Sequence, residues 1–385
     1  MQLHRVVKAI VVFSLLVGVS MSQRRVVTVA GSSGSTAAVV AGGLVFASAV
    51  NGVETGAQND IAAQTDRAIQ RLRGVLEAAG SSLGQAAAVH VFLKQASDFE
   101  AMNGAYRKHF ASDPPTRTTI VSNLSGDALV EMSAVAVPKG EPRETMHPAG
   151  WMKSPRPYSY IVRTRDFVFL SGLVSRRGVD DQPVAGPMAV QVDTVLNNAA
   201  ELLKTAGVSM ADVVSSRVFI TDAAGFQEMN TAYRKFFPTD PPVRATVVTS
   251  LMGASNLEIT LIASRVGRQI VVPGAGTTPL SSAIRAGRLL FLAGVLGNNA
   301  SNATDVAAQT REILARIDKS LQTAGLSFSD VVENIVYLPD LAARTTIDPV
   351  LREVFPKDPP ARIDIGAKLV APTGLIELMM TAAAK

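Results

Sequence analysis

The sequence predicts an α+β protein made of three tandem copies of one unit, each a sheet carrying two helices on one face. Three observations predict it. An arginine following paired prolines occurs three times, in YRKHFASDPPTRTTIV (residues 106–121), YRKFFPTDPPVRATVV (233–248) and VFPKDPPARIDI (354–365). When these arginines are superposed, EAAGSSLGQAAAVHVFL (77–93), KTAGVSMADVVSSRVFI (204–220) and QTAGLSFSDVVENIVYL (322–338) fall into register. The repeat is therefore a whole domain of roughly 115 to 125 residues, not a solenoid unit of about 20 to 50. Within each copy the patterns run β-α-β-α-β-β, an order that places both helices on one side of a sheet.

The elements follow in chain order. MQLHRVVKAIVVFSLLVGVSMSQ has a basic start (His4, Arg5, Lys8), an apolar run from Ala9 to Val19 and small residues Ser20 and Ser22, the layout of a secretory signal peptide over residues 1–22. Its run is short for a membrane span, although an uncleaved anchor is the alternative. Removal would leave an exported, periplasmic or secreted chain with no membrane partner. Domain 1 is placed at 24–138, a connector rich in proline, glycine and charge at 139–153, domain 2 at 154–265 and domain 3 at 268–384. Each domain opens on strands, as in YIVRTRDFVFLSG, where Phe167 to Leu170 are apolar and β-prone between charge and glycine. A helix follows. Ile69, Leu72, Leu76 and Ala79 make one stripe, and Gly80, Gly207 and Gly325 stand where a left-handed cap ends the helix. A third strand (VSSRVFI in copy two) leads to a second helix, GFQEMNTAYRKFF, whose Phe226, Met229, Tyr233 and Phe237 read as core. The paired prolines are expected to stop that helix and to extend the residue before them. This sets Arg117, Arg244 and Arg362 at the mouth of a new strand.

Composition narrows the chemistry. The chain has no cysteine, which excludes disulfides, thiolate nucleophiles and cysteine metal sites. His4, His90, His109 and His147 lack ligand spacing, so no protein metal site is expected. The net charge of +5 favours small anions through the general field. Lysine and arginine are dispersed and the aromatics are unpaired, so no nucleic-acid partner is expected.

The last strand of each copy carries a glutamate: Glu131, Glu258 and Glu377. A carboxylate between apolar neighbours such as Leu257 and Ile259 is costly to bury unpaired. Either an arginine–glutamate ion pair fixes an interface, or the guanidinium grips a substrate carboxylate while the glutamate handles a proton or a water. If the last two strands formed a simple hairpin, arginine and glutamate would lie at opposite ends. The strands are then not neighbours, or the pair meets between domains.

The series PYS (Pro157 to Ser159), LSG (Leu170 to Gly172), a helix with Gln191, TAG, VFITD, FQEMNTAYRKFF, PPVR and LEITLIA resembles the RidA (YjgF) family of enamine/imine deaminases, and does so three times over nearly the whole chain beyond the signal. The resemblance implies a chorismate-mutase-like fold with a mixed sheet, and a trimer with pockets between neighbouring subunits. Three copies in one chain then look like a covalent pseudo-trimer, monomeric in solution. It also implies hydrolysis of 2-aminoacrylate-type enamines, in their imine form, to 2-keto acids and ammonia without a cofactor. The arginine would hold the small-molecule carboxylate and the glutamate would position water. Carried over copy by copy, copy two is the fullest match, with Tyr158, Ser171, Gly172, Asn230, Arg244, Thr246 and Glu258 lining a pocket. Copy one keeps Asn103, Arg117, Thr119 and Glu131 but has Ser35 for the tyrosine and Ala49 for the glycine. Copy three keeps Gly294, Arg362 and Glu377 but has Leu280 for the tyrosine, Asp348 for the asparagine and Asp364 beside its arginine, where a carboxylate repels an anion or pairs with Arg362. Copy two is thus the expected working pocket. The alternatives are a non-catalytic binding or regulatory module for small carboxylates, favoured by export away from amino-acid catabolism, and an endoribonuclease, for which the sequence offers no acid/base pair beyond the arginines.

Overall fold

The computed structural model describes residues 24–29 and 35–384; the predicted signal segment lies outside them. Each copy folds as one α+β domain. In the first, the strands lie in the spatial order Thr116–Val121, Ala86–Leu93, Val130–Ala136, Leu44–Asn51, Ala38–Ala41 and Arg25–Val27. Ala86–Leu93 runs parallel to Thr116–Val121 and antiparallel to Val130–Ala136, so the sheet is mixed. The second and third domains repeat this order around Val213–Ile220 and Val331–Leu338. The last strand of each copy therefore inserts beside the central strand, and the arginine and glutamate strands are not neighbours.

Two helices cover one face of each sheet: α1 (Ile61–Ala78) and α2 (Phe99–His109), α3 (Met188–Thr205) and α4 (Phe226–Phe236), α5 (Val306–Thr323) and α6 (Arg344–Val354). The stripe of Ile69, Leu72 and Leu76 packs on Val89, Val91 and Leu93, alternate residues of the central strand. Gly80, Gly207 and Gly325 take φ values of 81°, 81° and 70°, the left-handed caps expected of them. Helix α4 ends at Phe236, well before Pro241, so the prolines do not themselves stop it. The residue before each proline pair is not extended either. Asp113, Asp240 and Asp358 are left-handed, with φ of 44°, 46° and 48°.

A repeated contact accompanies that unusual backbone. Arg143 donates to the carbonyls of Ala86 and Asp113, Arg268 to those of Val213 and Asp240, and Arg24 to those of Val331 and Asp358. Each domain's opening arginine thus clamps the domain before it, and the third clamp closes a ring. The segment Arg143–Met146, placed in the connector by sequence, pairs with Ile161–Thr164 and forms the outer strand of the second sheet.

The other face of every sheet turns inward. Phe46 and Phe92, Phe169 and Phe219, and Phe291 and Tyr337 join one core shared by the three domains, an intramolecular pseudo-trimer. This core encloses polar groups that were not anticipated. Arg217 donates to Nε2 of His90 at 2.7 Å, and Glu333 is buried beside them. Burial and the Arg217 charge hold His90 well below the usual histidine range, so it accepts as a neutral ring.

Candidate active site

The arginines and glutamates meet between domains, and this corrects the grouping by copy. In domain 2, Arg244 lies beside Ser216 and Glu258 beside Phe219 on opposite sides of the central strand. They are separated by two strand spacings and three residues, roughly 10 Å in each direction. Glu258 instead faces Arg117 of domain 1, Glu377 faces Arg244, and Glu131 lies nearest the Arg362 end of domain 3. The seven residues assigned to copy two divide between two different junctions of domains.

The first pocket joins domains 1 and 2. The edge strand from Thr116 crosses domain 2, where Gly172 N–H donates to the Arg117 carbonyl at 3.0 Å and Arg117 N–H to Ser171 Oγ at 2.9 Å. Ser171 in turn donates to the Ser159 carbonyl. It therefore fixes the arginine backbone from behind rather than lining the pocket. The guanidinium is only 4% exposed and lies 5.0 Å from the Tyr106 ring, with Phe99 and Tyr158 each at 5.6 Å. These rings supply cation–π attraction to a buried cation. Arg117 Nη1 has no partner among the described residues, and neither has the Asn103 side chain. Buried groups of this kind are normally paired, so the orphaned donor fits a ligand acceptor.

Glu258 rests over Gly172, where an added Cβ would come within 1.8 Å of Oε1. Only glycine leaves room for the carboxyl in that place. Oε1 accepts from Thr119 N–H at 3.3 Å. Burial pushes the Glu258 carboxyl up to about 8, against the smaller pull of that N–H and of Arg117. The two groups line a cleft of about 210 Å³ with Thr119, Tyr158 and Gly172. A buried guanidinium, a group suited to bind a carboxylate, thus faces a carboxyl that burial keeps protonated at neutral pH.

The second pocket keeps the pair but satisfies its arginine. Arg244, 2% exposed, donates from Nη2 to Asn230 Oδ1 at 2.6 Å and lies 4.8 Å from the Tyr233 ring. Glu377 lies over Gly294, and its carboxyl is also pushed up to about 8 by burial. Leu280 takes the place of the tyrosine and Ala293 that of Ser171. Thr246 Oγ1 is buried without a partner among the described residues. The third pocket is altered most. Arg362 is held by Asp348 at 2.6 Å and Asp364 at 2.7 Å, and Arg344 also binds Asp364. Ala49 occupies the glycine position opposite, and Glu131 pairs across strands with Asn51. The expected quenching of Arg362 by Asp364 is present, with Asp348 as a second partner.

The comparisons with known proteins agree with this architecture. The family model described as endoribonuclease L-PSP matches residues 23–138, 151–265 and 273–384. The chain belongs to that family, the RidA/YjgF proteins, as three tandem domains. A RutC family protein of Sulfurisphaera tokodaii is 33% identical over 117 residues, covering 29% of this chain and 94% of the relative. The 3-aminoacrylate deaminase RutC of Acinetobacter baylyi is 34% identical over 122 residues, covering 30% of this chain and 97% of the relative. Among solved structures, a chorismatase superposes with a TM-score of 0.55 at 14% identity over 78% of this chain and 93% of its own, a likeness of fold alone. The relationship to RutC and RidA proteins supports deaminase-type chemistry on enamines or imines as the general activity.

Proposed function

We propose that the chain hydrolyses short-lived 2-imino acids, the tautomers of 2-aminoacrylate-type enamines, to 2-keto acids and ammonia, and that the Arg117–Glu258 cleft does so. The observation that carries this is the unpartnered, buried Nη1 of Arg117 opposite a carboxyl displaced to about 8. Arg117 holds the substrate carboxylate by charge-assisted hydrogen bonds. Protonated Glu258 gives its proton to the imine nitrogen, and the resulting carboxylate then takes a proton from the water that adds to C2. The carbinolamine collapses as Glu258 returns that proton to nitrogen, the C–N bond breaks, and the hydroxyl proton passes back to the Glu258 carboxylate, so that water and imine become ketone and ammonia. A group that titrates near the operating pH suits both transfers.

The test generates an imine with an amino-acid oxidase in the presence of semicarbazide. The wild-type protein should divert the imine from trapping, Arg117→Ala should not, and Arg244→Ala should retain the activity. Loss in Arg244→Ala with full activity in Arg117→Ala would refute this assignment. Tight binding of small keto acids with no suppression of trapping by the folded wild type would make the cleft a binding site.

A further inference from the structure

The cleft carries more positive charge than one carboxylate needs. Arg156 and Arg176 stand on its wall beside Arg117. Arg156 and Arg117 flank the same ring, their guanidinium carbons 5.7 and 5.6 Å from the Phe99 centroid. Arg176 is gripped by Asp181, with Nε–Oδ1 at 2.6 Å, Nη2–Oδ2 at 3.2 Å and a further bond from Nη2 to the Asp181 carbonyl. Arg156 reaches Asp181 only from Nη1, at 3.4 Å. Asp181 therefore chiefly matches the charge of Arg176 and leaves Arg156, on the wall of the cleft, with one long contact to it. Glu100, also on the wall, is exposed and screened by water.

This cation belongs to one pocket alone. Arg156 stands two residues before Tyr158, and the same place before Ser35 and Leu280 holds Ser33 and Thr278. Arg176 stands two residues beyond Val174, which pairs with Glu258; the matching residues beyond Asn51 and Leu296 are Val53 and Asn298.

We propose that the Arg117–Glu258 cleft selects imines of dicarboxylic 2-amino acids, with Arg117 taking the carboxylate beside the imine carbon and Arg156 the distal one. The class is that of 2-iminosuccinate and 2-iminoglutarate, whose hydrolysis consumes water and releases ammonia like that of any imine. This selection rests on the deaminase reading of the same cleft for its reaction, but its recognition step can be measured apart from turnover. Calorimetry on the full mature chain with 2-oxoglutarate and 2-oxobutyrate gives the ratio of their dissociation constants. The dicarboxylate should bind at least tenfold more tightly, and Arg156→Gln should bring the two within twofold of each other. Arg176→Gln, which frees Asp181 to capture Arg156, should also lower the ratio. A wild-type ratio at or below one, absence of dicarboxylate binding, or a ratio that survives Arg156→Gln would overturn the proposal. Imine trapping with glutamate and 2-aminobutyrate as oxidase substrates separates the two claims. Hydrolysis of both imines with equal affinities refutes the selection only, whereas selective binding without hydrolysis refutes the deaminase reading only.

Discussion

Replacing Glu258 with glutamine should stabilise the protein by about 2 kcal/mol at pH 6 and by more at pH 9. The carboxyl is 4% exposed, rests on Gly172 and has one N–H and one distant guanidinium to favour its charged form. Its ordinary value of 4.5 is raised to about 8 in the folded chain. Between those values the folded chain keeps a proton that the unfolded chain has released. Stability therefore falls as pH rises through this window and levels off above it. At about 1.4 kcal/mol per pH unit, the displacement corresponds to at most roughly 5 kcal/mol. Glutamine has nearly the same shape, can still accept from Thr119 N–H and never ionises, so it removes the alkaline loss. Urea unfolding of both proteins at pH 6 and pH 9 measures the difference, with the similarly buried Glu377 common to both. Catalysis moves the other way, because an amide cannot exchange the proton, and turnover should drop by about 10²- to 10⁴-fold. Equal stability differences at both pH values, or a less stable variant at pH 9, would show that the buried carboxyl is not protonated and refute the acid role built on it.

Gly172→Ala should fold, because the atom its Cβ meets is the far end of a side chain, yet lower turnover by about 100-fold as the Glu258 carboxyl is driven off its seat; full activity would mean that this seat is unimportant. Sedimentation or scattering of the purified protein should give the mass of one chain, since the three pockets are completed within it, and a mass near three chains would exclude the intramolecular ring.

Much of the fold was legible because it is written in local chemistry. The stripe of Ile69, Leu72 and Leu76, the capping glycines and the apolar runs each fix an element within a few residues of themselves. The threefold repetition then supplied the architecture. What stayed hidden was which arginine serves which glutamate. A duplicated sequence has the same periodicity whether Arg244 meets Glu258 or Glu377, and only the insertion of the last strand beside the central one decides it. The hairpin objection pointed the right way, since both of its alternatives hold. Arg156 and Arg176 were missed because they lie in irregular segments, where charge is ordinarily a solvated surface. His90, Arg217 and Glu333 were missed because polar residues at inward positions of separate strands gain meaning only when three sheets close on one another. The left-handed aspartates ran against the usual effect of a following proline, and their carbonyls meet the clamping arginines.

Those three clamps bear on how the protein can change. In an assembly of identical subunits, one substitution is reproduced at every joint and in every pocket at once. Here Arg143, Arg268 and Arg24 secure three joints of separate sequence, two of them spanned by the chain itself. Tethering keeps the partners at high local concentration, so a weakened contact at one joint does not release a subunit. Arg362 could acquire Asp348 and Asp364 in one pocket while Arg117 kept an Nη1 without a partner among the described residues in another. Covalent continuity thus turns a symmetric ring into three separately adjustable rooms.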